Sequence, residues 1–431
     1  MSPRRSSLKF YPLGFPVPVF TVLAFVLLTS CASRSDLKPA AAIASESTPT
    51  PFQPGVYDSP FNAPLSPSPA DAATFTPYPT VYVQGVPLVL PDVATPSGNA
   101  DFYSLKINPI TGNPPSDPAL LERRPIAIKV ANYPRYIRPQ SGLTLADAVF
   151  EYYIESLLTR FIAVYYGNDA QQVGPVRSGR YFDEHVMRMY RAFYVFKYAD
   201  PREYTYFKGG DIVDLLVVPG FGACPPFFSG KRKIESYNNA YFNTIEWKNC
   251  AAAKGLDNSQ QTLRSGFFSP DTPAGGSVVS RIFTRYSVDD YNYWEYDPGS
   301  GRYLRFQETD DTRNNKPEKY APLMDDLTKQ QVAADNVVEL FVSHTFANQF
   351  EQQDEVYRIN LVNSGNAFVF RNGFAFPARW VRTDLDQPLF LSTLAGAPIY
   401  LKPGVTFYQV IGETSSDWAD GLDWHFDFRT P

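Results

Sequence analysis

Residues 124–180 read RPIAIKVANYPRYIRPQSGLTLADAVFEYYIESLLTRFIAVYYGNDAQQVGPVRSGR and combine apolar alternation with turn residues and charges. Alternation of apolar and other residues is typical of strands that are half buried in a sheet. It predicts strands near 125–131, 148–154 and 159–166, the last two forming a hairpin around Glu155-Ser156. The apolar positions of these strands are Ile126, Ile128, Val130, Phe150, Tyr152, Ile154, Phe161, Ala163 and Tyr165.

Polar residues interrupt this predicted core. An isolated buried charge costs several kcal/mol, so charges among core strands are expected to be paired or to face a ligand. The residues concerned are Arg138, Gln140, Glu151, Glu155, Arg160, Arg177 and Arg180.

Short helices are predicted between the strands, at 143–146, from Ser178 as N-cap to Met189, and at 201–208. Further on, an aromatic hairpin is expected at 291–297 and 302–308. This order predicts an α+β fold, with a mixed sheet and flanking helices in the first domain and a small, mostly β C-terminal domain. The predicted organisation is a signal peptide at 1–31, a Pro/Ser/Thr-rich tether at 32–104, domains at 105–307 and 336–412 around a connector at 308–335, and an acidic aromatic tail at 413–431.

The N-terminus predicts export and lipid attachment. Arg4, Arg5 and Lys9 precede an apolar segment at 15–28, which ends in small residues before Cys31. This pattern resembles a bacterial lipoprotein signal peptide; the alternatives are a plain signal peptide or a transmembrane anchor. Cys31 is the expected lipidation site, and the protein is expected on the extracytoplasmic face of the bacterial cell membrane. Between 37 and 100, 13 of the 39 prolines and a single basic residue predict an extended tether.

The two remaining cysteines, Cys224 and Cys250, lie in a chain predicted to be exported. Export favours a disulfide over two buried free thiols. Closing a loop of this length would contribute on the order of 3 kcal/mol.

The charge balance argues against nucleic acid as a partner. The net charge is −5, with no long basic segment, whereas nucleic-acid binding depends on clustered Lys and Arg. Aromatic residues make up 15% of the chain, and tyrosine-rich surfaces are suited to adhesion.

Several motifs resemble the YerB-like bacterial lipoproteins. RPQSGL at 138–143, AD at 146–147, TRF at 159–161 and GPVRS at 174–178 resemble the family's first domain; NVVELFV at 336–342, AFVFRNG at 367–373, Trp380 and LKPGVTFYQV at 401–410 resemble its second. The resemblance implies a two-domain surface lipoprotein with no assigned activity. Such proteins usually carry His-Asn before a Tyr, whereas this chain has Asn238-Asn239-Ala240-Tyr241, so a role for that His is not expected here.

Catalytic and metal motifs are sparse. His185, His344 and His425 lie in no recognisable motif, there is no G-x-S-x-G, and we expect neither a metal nor a cofactor. The spacing of Asp417, Asp420 and Asp423 fits a polar tail better than a calcium loop. On one strand Glu151 and Glu155 would lie about 13 Å apart, too far for paired acid chemistry, so ion pairs with Arg160 and Arg177 are the favoured interpretation.

GPVRSGR at 174–180 is the remaining candidate. A turn into a helix exposes backbone N–H groups, and arginines beside them would make an anion pocket. The candidate ligand-binding residues are Arg138, Gln140, Glu151, Arg177, Ser178 and Arg180; alternatively, these arginines only tie the loop to Glu151 and Glu155. Within the group we expect Arg177 to be structural and Arg180 to face solvent.

The functional prediction is therefore binding rather than catalysis. We expect a lipid-anchored module for an anionic or carbohydrate ligand of the cell envelope. The alternatives are a peptidoglycan-type hydrolase or transferase that uses the Glu/Arg cluster, and a non-catalytic scaffold for envelope proteins, which would show an exposed apolar patch.

Overall fold

A computed structural model describes residues 105–220, 222–263, 267–347 and 355–429, together with the backbone of 80–83 and 86–89. The chain divides into two compact units, Met1–Ala73 and Thr74–Pro431, and every described residue belongs to the second. The predicted signal peptide, Cys31 and most of the predicted tether lie outside the described residues. Among the residues that are described, no helix has the length and apolar character needed to cross a membrane.

The N-terminal half contains short helices and a group of strands. Helices α1 to α3 are Asp183–Met189, Pro201–Gly209 and Thr244–Ala253. Strands β1 to β9 are Thr80–Val83, Val86–Val89, Ile126–Ala131, Ala148–Tyr153, Thr159–Tyr165, Phe193–Val195, Leu216–Val217, Phe227–Ser229 and Ala240–Phe242. Single 3-10 turns occur at Pro118–Glu122, Arg135–Ile137, Leu143–Leu145, Val213–Leu215, Ser236–Asn238 and Arg313–Asn315.

The C-terminal half is built from strands. Strands β10 to β16 are Phe267–Phe268, Ser277–Val278, Arg281–Arg285, Tyr291–Asp297, Arg302–Glu308, Tyr320–Pro322 and Ala333–Ala334. Strands β17 to β25 are Asn336–Phe346, Tyr357–Asn360, Asn363–Arg371, Phe374–Arg382, Phe390–Ser392, Tyr400–Leu401, Thr406–Gly412, Ser416–Asp420 and Asp423–Asp427.

One mixed sheet runs through both halves. Its strand order is β11-β20-β19-β17-β23-β4-β5-β3-β6-β7, with β18 on β17 and β21 on β20. Strands β4 and β23 pair in parallel, and Phe150 stacks on its partner Tyr408 at 4.4 Å between ring centroids. Because these strands come from the two predicted domains, a continuous sheet joins them. Where one domain ends and the next begins remains a prediction.

A second sheet packs on one face of the first. Its order is β15-β14-β13-β12-β25-β24, with β16 on β14. Trp294 of β13 meets Phe407 of β23 at 4.8 Å between ring centroids, and Arg305 of β14 reaches Glu151 of β4. The stretch predicted as a connector supplies β15 and β16, and the stretch predicted as a tail supplies the hairpin β24–β25.

The α+β class and the mixed sheet are confirmed, and the helices are few and short. The predicted strands at 125–131, 148–154 and 159–166 form β3, β4 and β5, whose side chains are buried throughout. Cys224 and Cys250 form a disulfide, with their Cα atoms 5.5 Å apart.

The predicted start of the helix after GPVRS is wrong. Helix α1 begins at Asp183, with Phe182 rather than Ser178 at the N-cap position. Val176 bridges to Val130 of β3, and Gly179 bridges to Ala199. The chain between them is therefore held extended beside the sheet, which prevents Ser178 from capping a helix.

Candidate functional site

Three of the predicted site residues come together in a buried polar network between the two sheets. Asn132, at the end of β3, is its hub: its side-chain amide donates to Glu151 at 3.2 Å and to Thr159 at 2.9 Å. Gln140 donates to the Asn132 side-chain oxygen at 3.2 Å, and Arg138 donates to the Asn132 carbonyl at 2.9 Å. The sequence analysis therefore identified three members of this network but not Asn132, the residue at its centre.

Arg305 balances the charge of Glu151 in this network. Both side chains are fully buried, and the guanidinium Nη2 lies 2.7 Å from the Glu151 carboxylate. The same guanidinium donates to Gln307 and lies over the rings of Trp294 and Phe407. Burial raises the pKa of Glu151, and Arg305 opposes that rise. Arg305 is a structural ion-pair partner that sequence reasoning did not identify.

The Thr159 hydroxyl lies between two buried acids, Glu151 and Asp290. The threonine Oγ1 lies 2.8 Å from a Glu151 oxygen and 2.7 Å from an Asp290 oxygen. A hydroxyl has a single proton to donate, so Thr159 cannot fully satisfy both acids at once. Burial raises the pKa of both acids, in agreement with this arrangement.

The other predicted site residues lie on the opposite face of the same sheet. Tyr152 pairs with Arg160 across β4 and β5, and alternation turns both away from the Glu151 face. Arg160 donates to the Ser178 carbonyl at 2.7 Å. The structure thus separates Arg177, Ser178 and Arg180 from Arg138, Gln140 and Glu151, and does not form the predicted single pocket.

The expected roles of Arg177 and Arg180 are reversed. Arg180 binds Glu155 with two nitrogens, Nε at 2.7 Å and Nη2, and lies 3.7 Å from Glu203. Arg177 has no carboxylate partner in the described parts of the chain; its guanidinium lies 5.5 Å from the Tyr237 ring centroid. Glu151 and Glu155 bind different arginines: Glu151 pairs with Arg305, and Glu155 lies 3.9 Å from Arg160 as predicted, whereas the predicted pairing with Arg177 is wrong.

The histidines and the C-terminal acids have structural surroundings. Arg382 contacts His185 Nδ1 at 2.9 Å, and burial with Arg382 lowers the pKa of His185 to about 3. Burial lowers the pKa of His344 to about 4, and His425 is stacked between Phe283 and Trp418. Asp423 pairs with Arg281. Within the described ranges, no three His, Cys, Asp or Glu side chains cluster as metal ligands would.

An open cleft lies next to the predicted motif. It has a volume of about 540 Å³ and is bounded by the start of α1, by α2, by β17 and β18, and by the loop after β20. Tyr181, which directly follows GPVRSGR, and Tyr206 of α2 form an edge-to-face pair with 5.2 Å between ring centroids. Arg358 of β18 lies 4.1 Å from the Tyr181 centroid and 5.3 Å from the Tyr206 centroid. We call this region the aromatic cleft.

Helix α1 holds the side chain of Tyr206 in place. The Tyr206 hydroxyl donates to Glu184 at 2.6 Å, and Glu184 also accepts from Arg188 at 2.7 Å. Burial and Glu184 together raise the pKa of Tyr206 to about 12, so its hydroxyl stays protonated at neutral pH. The Tyr206 side chain is nevertheless 39% exposed, which leaves part of the ring open to a ligand.

Arg358 is the positively charged residue of the aromatic cleft whose guanidinium N–H groups can still bind a ligand. In the described portion of the protein, no carboxylate lies within ion-pair distance of it, and it is exposed. Stacking on two rings fixes the orientation of a guanidinium at low entropic cost. Asn360, two residues further along β18, projects to the same side and also lines the cleft. The alternating pattern of YRIN at 357–360 is the sequence signal that could have placed Arg358 and Asn360 on the same face of a strand.

The fold and its sites define a class: an α+β protein in which two sequence domains share one mixed sheet, with a buried ionic network beneath a second sheet. Two family models match the chain, both described as a protein of unknown function (DUF3048): the N-terminal domain over residues 110–257 and the C-terminal domain over 282–408. The chain belongs to this YerB-like, two-domain family, as the sequence motifs predicted.

YerB of Bacillus subtilis (strain 168), whose name describes it as a lipoprotein, is 27% identical over 285 residues, which is 63% of this chain and 77% of the relative. A crystal structure of Bacillus subtilis YerB matches 70% of this chain and 96% of its own, with a TM-score of 0.58 and 24% identity. This structural similarity supports the assignment of the fold and carries no information about function.

Proposed function

We propose that this chain is a lipid-anchored protein of the extracytoplasmic membrane face that binds an acidic saccharide of the cell envelope in the aromatic cleft. The anchor is supported by the sequence around Cys31 and by the relative that is named as a lipoprotein. The observation that carries the ligand proposal is Arg358, stacked on Tyr181 and Tyr206 in an open cleft with no carboxylate partner among the described residues.

The chemistry of the cleft favours a sugar that carries an acidic group. An exposed tyrosine ring offers apolar area to the C–H face of a pyranose, while polar groups around it can bond the hydroxyls. A guanidinium with open donors binds a carboxylate or phosphate with two parallel hydrogen bonds. Glu184 is paired with Arg188, which also contacts Asp211 and Asp386, and a second acid, Asp384, lines the cleft. The anion-binding role therefore falls to Arg358, which has no carboxylate within ion-pair distance among the described residues.

The test is calorimetric titration of the full chain in detergent micelles with an oligosaccharide that contains uronic acids and with its carboxyl-reduced form. Arg358→Gln should weaken binding of the acidic form about tenfold and affect the reduced form little. Tyr206→Ala should weaken both, whereas Tyr206→Phe keeps the ring and should retain most of the affinity. Arg281→Gln, an exposed arginine of the second sheet with the same charge change, is the matched control.

Equal binding of the acidic and reduced oligosaccharides, or unchanged affinity in Arg358→Gln, would contradict the proposal. The hydrolase alternative predicts shortened fragments after incubation, which size analysis of the same samples detects. The scaffold alternative predicts no saturable saccharide binding by any variant.

A further inference from the structure

A second pocket lies at the edge of the buried network, on a different part of the protein from the aromatic cleft. It has a volume of about 360 Å³, within the range of small-molecule sites, about 300–1,000 Å³. One side is formed by Arg135 and Arg138 from the turn after β3, and the other by Pro322 at the end of β15 and by Leu323 and Met324 after it. We call it the Arg135 pocket. It is polar on one wall and apolar on the other.

Glu308, at the end of β14, lines the inner end of the pocket. It is 1% exposed, and its Oε1 accepts from Arg138 Nη2 at 2.7 Å while Gln307 donates to Oε2. Burial raises the pKa of Glu308 to about 8, although Arg138 opposes the rise. At pH 7 this acid therefore holds a proton and does not cancel the positive charge of the two arginines.

A ligand that enters the pocket would contact Arg135 first. Its side chain is 23% exposed, and Nη2 donates to the Asp289 carbonyl at 2.6 Å. Its Nε is buried and has no hydrogen-bond partner in the described part of the chain, the nearest carboxyl oxygen being that of Glu308 at 3.5 Å. A buried donor without a partner is unusual, because it loses its bond to water and gains nothing in return. Arg138, by contrast, already uses all three of its guanidinium nitrogens.

We propose that the Arg135 pocket binds a small carboxylic acid, with its carboxylate at Arg135 and its apolar group against Pro322, Leu323 and Met324. A carboxylate has two oxygens, which match two N–H groups of one guanidinium, and an uncharged Glu308 beside it would not repel the ligand. The apolar wall would remove a hydrocarbon group from water, which favours binding in proportion to the area covered. Nothing in this site depends on the aromatic cleft.

The experiment uses the full chain in detergent micelles and two matched probes, N-acetyl-leucine and its uncharged amide. Calorimetry should show saturable binding of the acid and at least tenfold weaker binding of the amide. Arg135→Gln should weaken binding of the acid about tenfold, and Met324→Asn should weaken both probes severalfold. Arg281→Gln serves again as the charge control, and Tyr206→Ala should leave binding unchanged, so failure here is distinguishable from failure of the saccharide proposal.

The pH dependence gives an independent readout. Arg135 and Arg138 face Glu308 from the turn, Asp290 faces it from just before β13, and Tyr291 faces it from β13. When Glu308 loses its proton it repels the bound carboxylate, so affinity should fall as the pH rises through about 8. Glu308→Gln keeps the shape without the charge and should bind the acid with little pH dependence.

Three results would overturn the proposal. Equal affinity for the acid and the amide would remove the role of the carboxylate. Competition by inorganic phosphate as strong as that of the acid would reassign the pocket to anions in general. Absence of saturable binding in a folded wild-type protein would show that the pocket does not take this class of ligand.

Discussion

Replacing Arg180 by Gln should destabilise the protein far more than replacing Arg177 by Gln. Arg180 binds Glu155 with two nitrogens and lies 3.7 Å from Glu203, whereas the Arg177 side chain, among the described residues, contacts the ring and backbone of Tyr237 and no carboxylate. Removing one partner of a buried ion pair costs about 3–5 kcal/mol, because the other charge is left without compensation. The comparison therefore tests whether the two arginines of GPVRSGR hold the fold.

The exposure of the pair sets the expected size of the effect. The side chains of Arg180 and Glu155 are 13% and 25% exposed, so solvent would partly compensate the stranded carboxylate. A loss of about 2–4 kcal/mol is expected, which corresponds to roughly 3–6 °C in Tm for a folded unit of this size. Arg177→Gln removes one ring contact and one long hydrogen bond, so it should cost less than about 1 kcal/mol.

Acidification should reduce the difference between wild type and Arg180→Gln. Burial raises the pKa of Glu155, but Arg180 outweighs burial and holds it below the ordinary value of 4.5. The stability from this pair is therefore present above pH 4.5 and lost as the pH falls through the lowered pKa of the folded state.

Thermal melts by circular dichroism at pH 7 and near pH 3 measure both effects, with Arg202→Gln, an exposed arginine of α2 near Arg180, as a control. Equal losses for Arg177→Gln and Arg180→Gln, or a larger loss for Arg177→Gln, would refute the reasoning. So would a wild-type advantage that stays constant down to pH 3.

Three further predictions follow from single features. Cys31→Ser should prevent lipidation and move the protein from the detergent phase to the aqueous phase; identical partitioning with wild type would contradict the lipoprotein assignment. Mass spectrometry of the non-reduced protein should find Cys224 and Cys250 in one linked peptide, and alkylation of both thiols in native protein would exclude the bond. Arg305→Met should cost about 3–5 kcal/mol by stranding buried Glu151. Adding Glu151→Gln should recover part of that loss in denaturant unfolding, and additive losses would argue against the pair.

The sequence was informative wherever local alternation decides the structure. Strands β3, β4 and β5 were predicted to within one or two residues, because a strand buried in a sheet shows its period in its own residues. The pairing of Phe150 with Tyr408 joins residues far apart in the chain, and no local pattern reveals it. A sequence interpretation that treated the two domains separately could therefore not predict that they share one sheet.

The error at Ser178 has a specific physical cause. Serine before acidic residues is a good helix start in isolation. In the folded protein, the N–H of Arg177 donates to the Lys129 carbonyl and the N–H of Gly179 donates to the Tyr198 carbonyl. These bonds extend the chain through the whole motif and delay the helix to Asp183, which accepts from the N–H of Arg180. Tertiary hydrogen bonds therefore override the local capping preference.

The ion pairs of the arginines explain why the sequence motifs did not point to the proposed ligand sites. Within the family-like motifs, Arg138 contacts the buried acid Glu308 and Arg180 pairs with Glu155, so both arginines hold the fold together. Arg358 and Arg135 lie outside those motifs: Arg358 has no carboxylate within ion-pair distance among the described residues, and Arg135 has a single, longer contact of 3.5 Å with Glu308. A charged residue is equally visible in the sequence whether or not the fold gives it a partner. The family motifs therefore mark residues that hold the fold together. The two proposed binding sites lie instead at arginines that have no close carboxylate partner in the folded protein.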